Sequence, residues 1–206
     1  MKSKAEHWDA IFAKTASREL GWYEGDFSLS LQFLNQIENW QTATIFLAGA
    51  GTTNLIDELL VTNAKLIVND ISAEAINILN GRIGEKAKSI TWLCQDISAP
   101  LPNFLPPIDI WFDRAVLHFL VDDKDIVSYF KNINSFVKIG GHVILAEFSK
   151  TGALKCAGLN VHRYSLEELT NNLGADFQLI NHLETNFINP RGDLRPYIYG
   201  LFKRIK

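Results

Sequence analysis

Three apolar segments in the first half of the 206-residue chain end in residue types that could bind a nucleoside. The first segment, ATIFLAG, runs into a loop that contains Gly49, Ala50, Gly51 and Thr53. Two glycines let the backbone turn tightly and let a ligand approach it closely. The start of the helix that follows offers free N–H groups and a positive dipole. This loop therefore predicts a binding site for a polar or charged ligand.

Carboxylates end the second and third segments. AKLIVND ends in Asp70, which precedes Ile71, and KSITWLCQD ends in Asp96, which precedes Ile97. The first carboxylate can accept hydrogen bonds from both hydroxyls of an adenosine ribose, and the second from the adenine amino group. Ile97 would pack on the adenine ring. Each signal is weak alone because aspartate commonly caps turns, but all three in this order predict an adenosine site.

Apolar runs of strand length alternate with helical patterns along the chain. Strands are predicted at 43–49, 64–70, 88–96, 108–113 and 141–148, and helices at 54–61, 73–83, 123–137 and 166–173, with two more between residues 3 and 40. Ser72 predicts an N-cap, and Ser165 with Glu168 predicts a capping box. A helix end is predicted at Lys138, Gly140 and Gly141. FQLINHLET and RPYIYGLFKR predict an antiparallel hairpin. The alternation implies a parallel sheet with helices on both faces, which binds ligands at the carboxyl ends of its strands.

Composition narrows the class of protein. With 47% hydrophobic residues, the chain can bury one core, so a single domain over residues 1–206 is expected. Lys and Arg total 20 against 23 Asp and Glu, which predicts neither a nucleic acid nor a membrane as partner. No apolar run reaches membrane-spanning length, and the charged residues at the N-terminus predict that it is not a secretory signal. Two cysteines without metal or disulfide spacing predict no metal and a cytoplasmic location.

Together these motifs resemble those of the class I S-adenosylmethionine-dependent methyltransferases over nearly the whole length. The resemblance rests on FLAGAGTT, VNDIS, LCQDIS, IDIWFDRAVLHFL, KIGGHVILAEF and the terminal hairpin. HWDAIFAKTASRELGWYEG resembles the opening of a branch that includes small-molecule and protein-lysine methyltransferases, and GALKCAGLNVHRYS resembles a bacterial subgroup. The resemblance implies an α/β fold with a Rossmann-like seven-stranded mixed sheet, an N-terminal helical lid at 1–40 and a core at 41–206. It also implies S-adenosylmethionine as cofactor and S-adenosylhomocysteine as product.

The chain departs from the family pattern around its glycine loop. Leu47 stands two residues before the first glycine, where the family usually has an acid. Another group must then hold the methionyl ammonium, and Glu24 and Asp113 are the candidates. Thr53 takes the place of the third family glycine, as in a known variant of the branch. Asn54, where a dinucleotide motif needs glycine, argues against a nicotinamide enzyme.

The segment after the fourth predicted strand is where the family places substrate and catalytic groups. The resemblance therefore implies catalytic roles for Asp113, Arg114 and His118. Arg114 could fix an anionic substrate group, with a salt bridge to Asp113 or Asp109 as an equal alternative. His118 could be a general base, with a structural histidine in the core as an equal alternative.

Aromatic and polar residues elsewhere could border the same site. Trp22 could present a π face to the sulfonium and Tyr23 could contact substrate, unless both simply pack the N-terminal helices onto the sheet. Cys156, His162 and Arg163 follow the fifth predicted strand and border the expected acceptor site. For Cys156, a small buried apolar role is the stronger interpretation.

The resulting hypothesis is methyl transfer to a small-molecule acceptor by a monomer or homodimer. The acceptor atom could belong to a thiol or sulfide, an amine or a carboxylate. A protein-lysine methyltransferase is an alternative, because the same branch contains such enzymes. A non-catalytic S-adenosylmethionine-binding module is a second alternative, which the missing acid at Leu47 supports.

Overall fold

A computed structural model describes residues 4–206, so the first three residues of the expected lid lie outside the described part. Helices and strands follow one another as the sequence pattern predicts. The helices are α1 (Lys4–Lys14), α2 (Ser28–Leu34), α3 (Leu55–Leu59), α4 (Ala73–Ile83), α5 (Asp123–Phe136) and α6 (Leu166–Leu173). The strands are β1 (Thr44–Ala48), β2 (Lys65–Asp70), β3 (Thr91–Cys94), β4 (Ile108–Arg114), β5 (Val137–Phe148), β6 (Lys155–Cys156), β7 (Leu159–Asn160), β8 (Phe177–Ile188) and β9 (Leu194–Arg204).

Seven of these strands form one mixed sheet in the order β3-β2-β1-β4-β5-β9-β8. The first five are parallel, and β9 runs antiparallel between β5 and β8. This confirms the Rossmann-like seven-stranded sheet with an antiparallel terminal hairpin. The strand order reverses between β1 and β4, and a crevice at such a point is where open α/β sheets bind ligands.

Alternation along β1 explains why helices cover both faces of the sheet. Phe46 and Ala48 pack into one apolar cluster with residues of α5 and α6, whereas Ile45 and Leu47 pack into a second with residues of α2 and α3. Successive side chains of a strand point to opposite faces, so a strand with no polar face is buried on both sides. The carboxyl end of β1 is thereby fixed between two cores.

The predicted helix caps are confirmed, but the strand after α5 begins earlier than predicted. The Ser72 side chain accepts from the Ala75 N–H, and Ser165 and Glu168 form the predicted capping box. The sequence predicts a helix end at Lys138, Gly140 and Gly141 and a strand from residue 141, but β5 begins at Val137, directly after α5. Gly140, with φ of +82°, lets the strand continue past a register shift against β4.

Other boundaries move by a few residues. β3 is shorter than predicted because a 3₁₀ turn occupies Gly84–Ser89, and β8 continues past the predicted end to Ile188. Among residues 4–206, no helix has the length and apolar character needed to cross a membrane.

Candidate active site

A cavity of about 340 Å³ lies at the carboxyl ends of β1, β2 and β4, where the strand order reverses. We call it the switch-point cavity. Its wall contains Gly49, Gly51, Asp70, Ile71, Asp96 and Ile97, together with Trp8, Phe12, Trp22, Arg114, Val116, Phe119, Leu159 and Asn160. The volume falls within the range of small-ligand sites. The structure therefore brings together the glycine loop and both aspartates that the sequence singled out.

Asp70 ties the end of β2 to the glycine loop. Its Oδ2 accepts a hydrogen bond from the Gly51 N–H at 2.7 Å, and its Oδ1 accepts one from the Ser72 N–H at 2.8 Å. Burial raises the pKa of Asp70 to about 6, against the opposing effect of these N–H groups. Each oxygen keeps a further lone pair, so the carboxylate can still accept from a ligand.

The two loop glycines have backbone conformations that side chains resist. Gly49 has a φ of +52°, and a Cβ there would lie 2.3 Å from Cγ2 of Val116. Gly51 has a φ of +54°, and its Cβ would lie 3.3 Å from Cζ of Phe12, on the cavity side. The close backbone approach expected from the sequence is therefore available at Gly51.

Gly51→Ala should weaken binding of S-adenosylhomocysteine by about 10-fold, because an added methyl crowds the cavity wall at a cost of roughly 1–2 kcal/mol. Calorimetry measures the affinity, and thermal unfolding measures the strain of the left-handed backbone. Gly84→Ala is the matched control, since Gly84 has a φ of +60° with open space around it. Equal losses of affinity in the two variants would argue that strain of the left-handed backbone, and not crowding of the cavity wall, causes the loss.

A smaller cavity of about 60 Å³, here called the loop cavity, lies beside the glycine loop. It shares Gly49, Trp22 and Arg114 with the switch-point cavity and is also lined by Glu24 and Leu47. Burial raises the pKa of Glu24, and the nearby Arg114 guanidinium opposes that rise. Glu24 is thus a buried carboxylate next to the position where the family acid is missing.

Arg114 lines both the switch-point cavity and the loop cavity. Its Nε donates to the Tyr199 hydroxyl at 3.1 Å and its Nη1 donates to the Trp22 carbonyl at 3.0 Å. The Nε also lies 3.3 Å from Oε1 of Glu24, in an ion pair of which both side chains are 10% exposed. Neither Asp113 nor Asp109 is therefore its ionic partner, contrary to the alternative drawn from the sequence.

Asp113 and His118 lie in the core and not in the switch-point cavity, which corrects their predicted contact with substrate. Both side chains are fully buried. Asp113 accepts from the Tyr129 hydroxyl at 2.6 Å and from the Val116 N–H at 3.1 Å. Nδ1 of His118 lies 2.7 Å from Oε2 of Glu147. Burial lowers the pKa of His118 to about 3, so the imidazole is neutral at pH 7.

The residues predicted to contact substrate are divided among different places. Tyr23 lines the loop cavity, and its hydroxyl accepts from Nδ2 of Asn54 at 3.3 Å. Arg163 donates to backbone carbonyls of the 150–152 turn, and His162 lies 3.6 Å from Glu168. Neither His162 nor Arg163 lines the cavities described here, so the structure does not bring them to the site.

Cys156 lines a third cavity of about 370 Å³, here called the outer cavity. The cavity also contains Trp22, Glu19, Lys155, Arg191 and Arg195. Burial raises the pKa of the Cys156 thiol, so the thiol stays protonated at pH 7. No group of three or more potential metal ligands occurs within residues 4–206.

Sequence reasoning missed residues that reach the switch-point cavity from outside the sheet. Trp8 and Phe12 of α1 lie in its wall, as do Leu159 and Asn160 of β7. For Trp8 and Phe12, the four-residue spacing places both on one helix face but does not say what that face covers.

The donor set fits S-adenosylmethionine. Asp70 and Asp96 supply carboxylates for hydroxyl and amino groups, Ile97 supplies an apolar surface, and Trp22 supplies an aromatic face. The fold and this cavity define an α/β protein whose cavity at the strand-order switch fits an adenosine-containing cofactor.

Comparison with known proteins narrows this class. A family model described as a methyltransferase domain matches residues 47–143. A methyltransferase structure from Anabaena variabilis is 13% identical, with a TM-score of 0.78 over 97% of this chain and 93% of that one. The N-methyltransferase NodS from Bradyrhizobium japonicum, bound to S-adenosylhomocysteine, is 14% identical, with a TM-score of 0.74 over 100% of both chains.

A third structure is the 1,6-didemethyltoxoflavin-N1-methyltransferase from Burkholderia thailandensis, solved with that compound and S-adenosylhomocysteine. It is 17% identical, with a TM-score of 0.66 over 95% of this chain and 81% of that one. No curated protein matches the sequence. A methyltransferase-domain model thus covers residues 47–143, just under half of the chain, and the solved S-adenosylmethionine-dependent methyltransferases share its fold.

Proposed function

We propose that the protein methylates a small anionic molecule that binds in the outer cavity. The observation that carries this proposal is the charge of that cavity, which shares Trp22 with the switch-point cavity. Among the described residues that line it, Lys155, Arg191 and Arg195 are cationic and Glu19 is the one carboxylate. Such a lining favours a carboxylate or phosphate group over an amine or a basic peptide.

Asp70, Asp96 and Ile97 would hold the adenosine of S-adenosylmethionine in the switch-point cavity. The cofactor supplies a methyl group on a positively charged sulfur for in-line displacement by the acceptor. Trp22 presents an aromatic face between the two cavities, where a positive sulfur is favoured. The chain contributes alignment of the two reactants, which is the main requirement of such a displacement.

This proposal uses no general base. Asp113 and His118 are buried in the core, away from the switch-point cavity. An acceptor atom that is already deprotonated near pH 7, such as a carboxylate oxygen or a thiolate sulfur, does not need one. The burial of both predicted bases therefore supports the same anionic class of acceptor.

We propose further that residues 1–40 form a lid over a core at 41–206. In the described part of this segment, Nζ of Lys4 contacts Asp125 of α5 at 2.9 Å. Asp9 accepts from the Ser72 hydroxyl at 2.6 Å and from the Glu74 N–H at 3.1 Å, which caps α4 from outside. These contacts hold Trp8 and Phe12 against the switch-point cavity.

A screen with isotopically labelled S-adenosylmethionine tests the acceptor class. Carboxylates, phosphate esters, thiols, amines and a panel of proteins are offered in parallel. Label should enter small anionic compounds, because the cations of the outer cavity attract them. Label that enters only proteins would favour the protein-lysine methyltransferase instead.

Arg195→Glu should raise the KM for the anionic acceptor by about 10- to 100-fold, because a repulsive charge replaces an attractive one. The Kd of S-adenosylhomocysteine should not change. Lys203→Glu is the matched control, since Lys203 is exposed at the other end of the same strand, β9. An equal rise of KM in both variants would show that overall charge, and not the outer cavity, selects the acceptor.

A further inference from the structure

We infer that Glu24 holds the methionyl ammonium of S-adenosylmethionine, in place of the acid that the family carries two residues before its first glycine. The inference rests on the proposed function, because it concerns the same bound cofactor. The family position is Leu47 in this chain, whose alkyl side chain has no acceptor for an ammonium group. A carboxylate from another part of the chain can take its place.

Glu24 reaches the same space as Leu47. Both side chains line the loop cavity, and Glu24 is the one carboxylate among the described residues that line it. The loop cavity shares Gly49, Trp22 and Arg114 with the switch-point cavity. A cofactor whose adenosine is held by Asp70 thus has the loop cavity next to it for its charged end.

The Glu24 carboxylate has acceptor capacity left for an ammonium. The Ser30 hydroxyl lies 3.3 Å from both carboxylate oxygens, and Nε of Arg114 lies 3.3 Å from Oε1. Charge-assisted hydrogen bonds are typically about 2.7–2.9 Å long, and a carboxylate offers about four acceptor positions. The contacts that the Glu24 carboxylate already makes are therefore long and few. The nearby Arg114 guanidinium favours the ionised form of that carboxylate.

Asp113, the other candidate from the sequence, does not reach either cavity. Its side chain is fully buried and already accepts from Tyr129 and Val116. It lies on the opposite face of β4 from Arg114, since adjacent residues of a strand point to opposite sides. This leaves Glu24 as the ammonium partner.

A comparison of two ligands tests the inference. S-Adenosylhomocysteine and its deamino analogue, S-adenosyl-4-thiobutyrate, differ only in the ammonium group. Glu24→Gln should weaken binding of S-adenosylhomocysteine by about 10- to 100-fold in calorimetry, with little change for the analogue. Adding Leu47→Asp to Glu24→Gln restores an acid at the family position and should recover most of the lost affinity.

Asp26→Asn is the matched control, because Asp26 is an exposed carboxylate two residues away and should affect neither ligand. Thermal unfolding establishes that each variant is folded. Unchanged affinity for S-adenosylhomocysteine in Glu24→Gln, or an equal loss for both ligands, overturns the inference and leaves the proposed function standing. A folded double variant that recovers nothing also counts against it. A wild-type protein that binds neither ligand overturns both.

Discussion

Asp70→Asn should weaken the binding of S-adenosylhomocysteine by about 100- to 10,000-fold, because two charge-assisted hydrogen bonds to ribose hydroxyls contribute about 1.5–3 kcal/mol each. Asparagine keeps the shape of the side chain but removes its charge. It also turns one acceptor into a donor, which opposes the N–H of Gly51 or Ser72. Calorimetry with S-adenosylhomocysteine measures the loss directly.

Asp123→Asn serves as the control for this experiment, since Asp123 is an exposed carboxylate at the start of α5 and does not line the switch-point cavity. It should bind the ligand as the wild type does. An Asp70→Asn variant that bound normally would contradict the placement of the ribose.

The pH dependence of this affinity has a defined sign. Burial raises the pKa of Asp70 to about 6, and ribose hydroxyls prefer the ionised carboxylate as acceptor. Affinity should therefore fall as the pH drops through 6, and Asp70→Asn should abolish that dependence. The free energy of unfolding of the ligand-free protein depends on pH in the opposite direction. The Asp70 carboxyl, whose pKa is raised, stabilises the fold below its unfolded pKa, and that contribution is lost as the pH rises through 6.

Glu147→Ala should lower the free energy of unfolding by about 3–5 kcal/mol. Glu147 is fully buried, and its Oε2 accepts from the backbone N–H of His118 at 3.1 Å. The substitution leaves this donor without a partner and creates a cavity beside the imidazole. Urea denaturation measures the loss. Glu184→Ala is the control, because Glu184 is exposed on β8 and should cost less than about 0.5 kcal/mol.

The raised pKa of Glu147 also predicts that the free energy of unfolding falls as the pH rises above neutral. Burial raises the pKa of Glu147 to about 8 and lowers that of His118 to about 3, so both groups are neutral near pH 7. The neutral carboxyl stabilises the fold below its unfolded pKa, and this contribution is lost as the pH rises through 8. The His118 contribution is already complete above pH 6.5. Between pH 6.5 and 8, wild-type stability should decline, whereas Glu147→Gln should show a smaller decline, because Asp113, whose pKa burial also raises, remains.

Local signals in the sequence were sufficient for the fold and for one wall of the site. The glycine loop, Asp70 and Asp96 each follow an apolar strand directly, and parallel strands carry their carboxyl ends to one edge. The capping residues Ser72 and Ser165 act within one helical turn. Such features depend on neighbours in the chain and can be found without knowing the tertiary packing.

The sequence alone predicts which side chains of β4 share a face of the sheet. Trp111 and Asp113 share one face, where the Tyr129 hydroxyl accepts from Trp111 and donates to Asp113. Phe112 and Arg114 share the other face, which lines the loop cavity. The two-residue period of a strand thus separates adjacent residues that the sequence analysis grouped as catalytic.

The partners of Arg114 could not be found from the sequence alone. Glu24 precedes it by 90 residues and Tyr199 follows it by 85, and no periodic pattern links positions so far apart. The contact of His118 with Glu147 of β5 could not be found for the same reason. Long-range pairing requires the packed structure.

Trp22 lines both the switch-point cavity and the outer cavity, whose walls come from different parts of the chain. The groups proposed for the adenosine of the methyl donor come from residues 49–97, and most of the cationic lining comes from the short β6–β7 hairpin and the turn before β9. These surface turns carry little of the core, so they tolerate substitution more readily than the sheet does. New acceptor preferences can thus evolve, or be engineered, by changing the turns while the donor half stays constant.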